Sequence, residues 1–403
     1  MRADRSVDRS TGTGRVGLVT IGREWGRIGC IGFGGPPTHI SLLRQLCVER
    51  RNWIPAEEFE DSITATNLLP GPASTQLAIL TAWRLRGLPG ALVGGLSFIL
   101  PGLALILALA ALFLSGNPPL WVLGAAAGAG SAVAAVAVHA AWSLAPGSWK
   151  RAGKARSARA RWLGYALAGT AAAALTGPWL VLVLLAAGLL EVAIRARGRQ
   201  DGRRGDRRFG RRVASWPVVA AAPVLGGGMV ALAWVALKVG ALSYGGGFVI
   251  IPLMQADAVD HYHWMTDSQF LNAVALGQIT PGPVVQTVAV VGYAAGGVWG
   301  GLLAASVAFA PSFLFVILGG RHFDGLRSSE RVQAFFTGAG PAVIGAIAGS
   351  AIPLSLALWN GWQYAVLAAA ALWLLAARRG VVSALLGAGA LGVAAALAGW
   401  PVG

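Results

Sequence analysis

Runs of apolar residues, close to the roughly 20 needed to cross a bilayer, recur along the chain. They cover residues 90–114, 119–143, 162–177 and 178–195, and then 298–319, 334–357, 361–377 and 381–400. Apolar character on every face of a helical pattern predicts spanning helices, not amphipathic helices on a soluble core. Ahead of each set lie two further apolar segments, and glycine and proline interrupt both. In the first half the interruptions are Gly29-Cys30-Ile31-Gly32-Phe33-Gly34-Gly35-Pro36 and Leu69-Pro70-Gly71-Pro72, with Trp53 and Phe59 between them. The second half carries Gly240-Ala241-Leu242-Ser243-Tyr244-Gly245-Gly246-Gly247, Trp264, Phe270 and Thr280-Pro281-Gly282-Pro283, offset by 211 residues. The register slips by one at Pro101 and Pro311.

Broken helices at membrane depth leave backbone amides and carbonyls without partners, which lipid does not tolerate but a protein-lined cavity does. Matched interruptions in two halves point to a transporter's substrate site. The expected fold is an all-α polytopic membrane protein. It has two inverted repeats, each with two Gly/Pro-broken segments, re-entrant or kinked, plus about four spanning helices. Residues 1–197 form the first repeat, 198–228 a basic cytoplasmic linker with an odd crossing helix from Val213 to about Gly228, and 229–403 the second repeat.

Composition changes this picture little. The chain is 56% hydrophobic and 12% charged, with a mean hydropathy of +0.64. Its 16 Trp lie mostly near segment ends, as an interfacial belt requires. Residues 1–15 have no apolar core, so no cleavable signal peptide is expected. Cys30 and Cys47 lack metal-ligand spacing and need no disulfide. Three Lys against 29 Arg point to a GC-rich bacterial genome, and so to the bacterial inner membrane.

Charge sets the topology. A net +16 would suit nucleic acid, but 15 of the 32 cations fall in two short loops, Lys150–Arg161 and Arg195–Arg212. The positive-inside rule makes these cytoplasmic loops facing anionic lipid, with the N-terminus on the same side, and leaves no folded face for nucleic acid. The loop after the first break carries Arg44, Arg50 and Arg51 in one half; in the other it carries Asp257, Asp260 and Asp267 with His261 and His263. Opposite bias in equivalent loops implies that the halves are inverted. In the first half cations flank both ends of each broken segment, which favours re-entrant hairpins.

The breaks supply the candidate chemistry. A helix beginning after Gly34-Gly35-Pro36 or Pro70-Gly71-Pro72 offers free backbone N–H groups and about half a positive charge, a setting for anions. Thr38, His39 and Ser41, then Ser74, Thr75 and Gln76, then Gln286 and Thr287 follow the breaks; Asn67 and Gln278 precede them. Gly34, Gly35, Gly71, Ser243, Gly245, Gly246, Thr280 and Gly282 belong to the breaks themselves. Arg27 and Lys238 occupy the same repeat position, where a cation costs on the order of 3 kcal/mol or more unless it faces a cavity or partner. Glu24 and Asp61 are the candidate proton carriers, although Asp61 at the start of its hairpin also suits an N-cap. His139 reads as a packed polar residue. No metal-ligand set, cofactor motif or nucleophile–base pair emerges, which weighs against a membrane-embedded enzyme or lipid-phosphate handler.

Gly32–Pro36 followed by Asn67-Leu68-Leu69-Pro70-Gly71-Pro72, with their second-half versions, resembles the chromate ion transporter family in its long, two-domain form. The resemblance implies efflux of chromate from the cytoplasm and chromate resistance, with sulfate or another tetrahedral oxyanion as the alternative cargo. A homo-oligomer is compatible with it.

Overall fold

The computed structural model describes residues 16–66, 69, 71–114, 118–175, 180–201, 228–243, 250–319 and 329–402, and these are helical with short connections. The first half contains α1 (Leu18–Ile31), α2 (Pro36–Arg44), α3 (Ala56–Thr66), α4 (Ala73–Phe113), α5 (Leu120–Ser131), α6 (Val133–Ala152), α7 (Arg156–Leu175) and α8 (Leu180–Asp201). The second contains α9 (Met229–Leu242), α10 (Ile250–Gln255), α11 (Asp267–Ile279), α12 (Thr287–Gly319), α13 (Glu330–Leu356), α14 (Gly361–Ala371) and α15 (Val381–Leu397). The expected crossing at 213–228 falls, apart from Gly228, outside the described residues, as does most of the second basic loop.

The repeat extends to backbone detail. A π turn follows α2 at Gln45–Arg50 and α10 at Ala256–His261, the same positions at the 211-residue offset. Cys47 O accepts from the N–H groups of Trp53 and Ile54, and Ala258 O from those of Trp264 and Met265. Asn52 and His263, again equivalent, both take positive φ, 48° and 52°. One chain conformation is thus built twice from different side chains.

α4 and α12 are helical hairpins, not straight rods. Gly87 has φ 60°, ψ −145° and Gly297 φ 63°, ψ −154°, left-handed values that reverse the chain and that glycine adopts without a Cβ penalty. In a continuous helix Ala82 and Gly94 would stand about 18 Å apart along the axis. Here a Cβ on Gly94 would collide with the Ala82 methyl. The first arm of α4, residues 73–85, is about 20 Å long, and the second, 88–113, about 39 Å. Only the second exceeds the roughly 30 Å hydrocarbon core.

In the first half the arms of the interrupted segments lie side by side. Ion pairs Glu24–Arg51, Arg44–Glu60 and Glu58–Arg84 hold the outer ends of α1, α2, α3 and the first arm of α4 together. Deeper in, Trp25 stacks on Trp53 at 6.4 Å and its Nε1–H donates to Ala78 O at 2.8 Å. At about 21 Å for α1 and about 17 Å for α3, these helices are too short to cross a bilayer. Asp61 sits half-buried within α3 and does not cap it, because α3 begins five residues earlier at Ala56.

The halves interlock through small residues. Gly124 and Gly128 of α5 meet Ala388 and Gly392 of α15, and Gly169 of α7 faces Ala342 of α13, backbone against backbone. Thr170 Oγ1 donates to Gly345 O at 3.0 Å across the second contact. Helix pairs in membranes associate through such small-residue faces, since lipid offers no hydrophobic drive to bring them together. α6, α7 and α8 of the first half pack on α13 of the second, and α15 of the second half packs on α5 of the first.

Candidate functional site

The breaks of one half meet the breaks of the other. Gly282 N–H, in the second break of the second half, donates to Gly32 O in the first break of the first half at 3.1 Å. A Cβ on Gly35 would lie 3.8 Å from Val284 Cγ2 in the same crossing. On the other side Gly71 approaches Gly240, its Cβ position 3.5 Å from the Gly240 carbonyl oxygen. Gly71 and Gly282 have matching φ values of 118° and 100°.

Glutamines fold back over both second breaks. A Cβ on Gly71 would stand 2.5 Å from Gln76 Nε2, and one on Gly282 3.2 Å from Gln286 Nε2. Gln286 Nε2 also donates to Ile99 O at 2.8 Å, a bond between the halves. Gly102, on the second arm of α4, admits this packing: a Cβ there would lie 2.6 Å from Gln286 Oε1 and closer still to Pro281 O.

Around these crossings several fully or almost fully buried polar atoms find no protein partner. They are Thr75 Oγ1, Ser243 Oγ, Gln278 Nε2, Gln286 Oε1 and Ser312 Oγ. Leaving such a group unpaired costs about 1–3 kcal/mol, so each marks a place where something other than protein is bound or stability is given up. Three are hydroxyls, which can donate, and Gln278 Nε2 is a donor. Gln286 Oε1 is an acceptor, oriented by the bond that its Nε2 makes to Ile99.

Other expected site residues have different surroundings. The Thr280 hydroxyl is used within its own helix, donating to Leu276 O at 2.9 Å. Thr38 is half-buried beside the exposed Gly34. Asn67, Gly245 and Gly246 lie outside the described residues.

The matched cations do not share a setting. Lys238 Nζ lies 2.8 Å and 2.6 Å from the two carboxylate oxygens of Asp257, so its charge is already met. Asp257 belongs to the π turn after α10, where the first half has Leu46. Arg27 is exposed on α1 in line with Arg23 and forms no ion pair among the described residues. Glu24 is bound to Arg51 at 2.9 Å.

Two residues, Ser312 and Glu191, were not singled out from the sequence, and the partners of His39 were not foreseen. His39, fully buried, lies 2.8 Å from Gly32 O through Nε2 and 3.2 Å from Ser74 Oγ through Nδ1, joining the first break to the second. Ser312 stands in the second half where Gly102 stands in the first, so comparing the copies past the one-residue slip would have found it. Glu191, almost fully buried on α8, binds Arg161, Arg195 and Tyr165. It is a structural tie between α7 and α8, away from the breaks.

Among the described residues no group of His, Cys, Asp and Glu is arranged to hold a metal ion.

The family described as "Chromate transporter" matches residues 19–192 and 230–393, two stretches that begin 211 residues apart. The chain is 32% identical over 337 residues to the chromate transport protein of Cupriavidus metallidurans, covering 82% of this chain and 80% of that one. It is 30% identical over 338 residues to the chromate transport protein of Pseudomonas aeruginosa, covering 82% and 79%. An uncharacterized transporter of Methanocaldococcus jannaschii is 24% identical over 310 residues, 75% of each chain. No solved structure matches significantly.

Proposed function

The chain belongs to the chromate transporter family, and from that premise we propose that it carries chromate, a tetrahedral dianion, out of the cytoplasm and so confers chromate resistance. The observation that carries this reading is the set of partnerless hydroxyl and amide groups at the crossing breaks. Hydroxyls and amide N–H groups, backed by the starts of α2, α4 and α12, suit an anion with four oxygens and no fixed orientation. None of these donors requires a proton to be removed, which fits transport better than bond-making chemistry.

The crossing arrangement supports alternating access. Each break is shared between halves, so rocking one repeat on the other would break the Gly282–Gly32 contact and the Gly71–Gly240 approach in turn. The same movement requires the repeats to be inverted, as their loop charges imply. The protein would sit in the bacterial inner membrane with its basic loops facing anionic lipid in the cytoplasm.

Energetics favour the outward direction. A dianion leaving an inside-negative cell gains about 2 × 2.3 kcal/mol per 100 mV. At roughly 150 mV that approaches about 7 kcal/mol, or about 10⁵ in concentration ratio. Import would have to overcome the same quantity.

The test is chromate uptake into everted vesicles carrying the protein, at a set membrane potential, with excess sulfate as competitor. Potential-driven accumulation that sulfate barely reduces is the expected result. Absence of accumulation refutes transport of chromate in this direction; accumulation abolished by sulfate reassigns the site to a sulfate-type carrier.

A further inference from the structure

We propose that His39 takes up a proton when the oxyanion binds, and that it thereby positions Ser74 as a donor to that anion. The inference rests on the oxyanion reading above and adds to it a titratable side chain that hydrogen-bonds both breaks of the first half.

Hydrogen-bond geometry defines the two states. Gly32 O is a carbonyl and can only accept, so Nε2 of His39 carries a hydrogen and donates to it. In the neutral ring Nδ1 is then an acceptor, and Ser74 must spend its hydroxyl proton on it. Adding a solvent proton at Nδ1 makes both ring nitrogens donors. Ser74 Oγ then accepts from the ring, and its O–H is free to turn toward an oxyanion at the start of α4, beside the partnerless Thr75 hydroxyl. No bond other than the new N–H forms, and the imidazolium adds one positive charge near a dianion.

The second half serves as an internal control. At the 211-residue offset His39, Ser74 and Gly32 become Ile250, Val285 and Ser243. That half builds the same π turn, the same positive-φ residue after it and the same second break without any His–Ser pair. Holding the hairpin together therefore does not require the pair. The exchange is also coordinated, because any side chain at position 32 would strike the imidazole: a Cβ there would stand 2.6 Å from His39 Cδ2. A residue that the fold does not need, accommodated by a glycine kept free for it, points to chemistry.

Among the described residues no other ionisable group bonds to the ring. On the elements packed around α2, α1 carries Arg23, Glu24, Arg27 and Cys30, and the π turn carries Cys47, Glu49 and Arg50. On α3 stand Glu57, Glu58, Glu60 and Asp61, and on α4 Arg84 and Arg86. Among the described residues none of them hydrogen-bonds His39, whose ring meets Gly32 O, Ser74 Oγ and the Phe98 edge. The second-half residues meeting this break, Gly282 and Val284, carry no charge.

The experiment adds chromate to the purified full-length protein in weakly buffered detergent solution, at a pH where chromate is already a dianion. A pH indicator reads proton uptake while affinity is followed across pH. The wild-type protein is expected to take up close to one proton per anion, with affinity falling by up to about tenfold per pH unit on the alkaline side. His39→Gln can still donate to Gly32 O and accept from Ser74 but cannot titrate; it is expected to bind more weakly, with no proton uptake and no pH slope. The pair His39→Ile/Ser74→Val, which installs the second half's residues, is the backup should His39→Gln fail to fold, and the same loss is expected. Wild-type binding without proton uptake, or uptake that persists in either variant, overturns the role of His39 and leaves the oxyanion reading intact. Failure of the wild type to bind chromate removes both.

Discussion

Gly102→Ala adds one methyl group where the two halves of the site touch. The residue lies inside the second arm of α4 with helical backbone, so the change alone would favour the helix by up to about 1 kcal/mol. Against that, the new Cβ would stand 2.6 Å from Gln286 Oε1 and overlap the Pro281 carbonyl, a backbone atom with no rotamer to retreat to. Normal contact needs about 1 Å more, and overpacking of this kind costs typically about 1–3 kcal/mol. Relief requires the second break of the other half to shift, which pulls Gln286 from Ile99 O and forfeits roughly another 1 kcal/mol. The shifted break also displaces the donors beside it, and losing about 1 kcal/mol of their hold on the anion weakens binding about fivefold. Thermal unfolding of the purified protein and chromate uptake into everted vesicles measure the two effects. The control is Gly147→Ala on α6, where a Cβ meets nothing within 4 Å; it should leave both unchanged or raise stability slightly. A Gly102→Ala protein as stable and as active as that control would refute the close crossing and the site built on it.

Gln278→Leu and Ser312→Ala each remove a buried polar atom that has no protein partner; unfolding temperature should hold or rise while the apparent affinity for chromate falls several-fold. The opposite pattern, lost stability with intact affinity, would mean that these groups serve the fold. Asp257→Asn leaves Lys238 without its carboxylate and should destabilise by about 1–3 kcal/mol, below the cost for a fully buried pair because Lys238 is partly exposed. Lys238→Met combined with Asp257→Leu should recover most of that loss, checked by the same unfolding measurements. Glu191→Gln leaves Arg161 and Arg195 facing one another without a charge between them; unfolding should occur earlier by a similar amount, with chromate affinity in the folded fraction unaltered.

The sequence carried the periodic part of this fold openly. Apolar runs long enough to span, and Gly71 matched by Gly282, are visible because each depends on local composition. The turns at Gly87 and Gly297 fall just before the apolar runs 90–114 and 298–319, so their positions were legible as segment boundaries; how tightly the chain reverses there was not, because a single glycine at positive φ makes each turn. Pairing across the halves was hidden for a different reason. The repeat is symmetric, so nothing in one copy states whether Gly32 lies near its own second break or that of its counterpart.

Side-chain partnerships were legible only in part. Lys238 looked solitary because Asp257 lies 19 residues away across a break, and the chain must fold back before they meet. His39 and Ser74 are 35 residues apart and carry no recognisable spacing. What could have exposed them is the difference between copies: a histidine, a serine and a glycine replaced together by isoleucine, valine and serine in an otherwise matched frame.

Locating the anion itself tests the central claim most directly. The anomalous signal of chromium, recorded from crystals of the full-length protein grown with chromate, gives its position without reference to any assay. A peak between the crossing breaks, within hydrogen-bond reach of Thr75, Ser243, Gln278 or Ser312, is the expected result. A peak on the exposed face of Arg27, or at the cluster around Glu191, with none at the breaks, would contradict it.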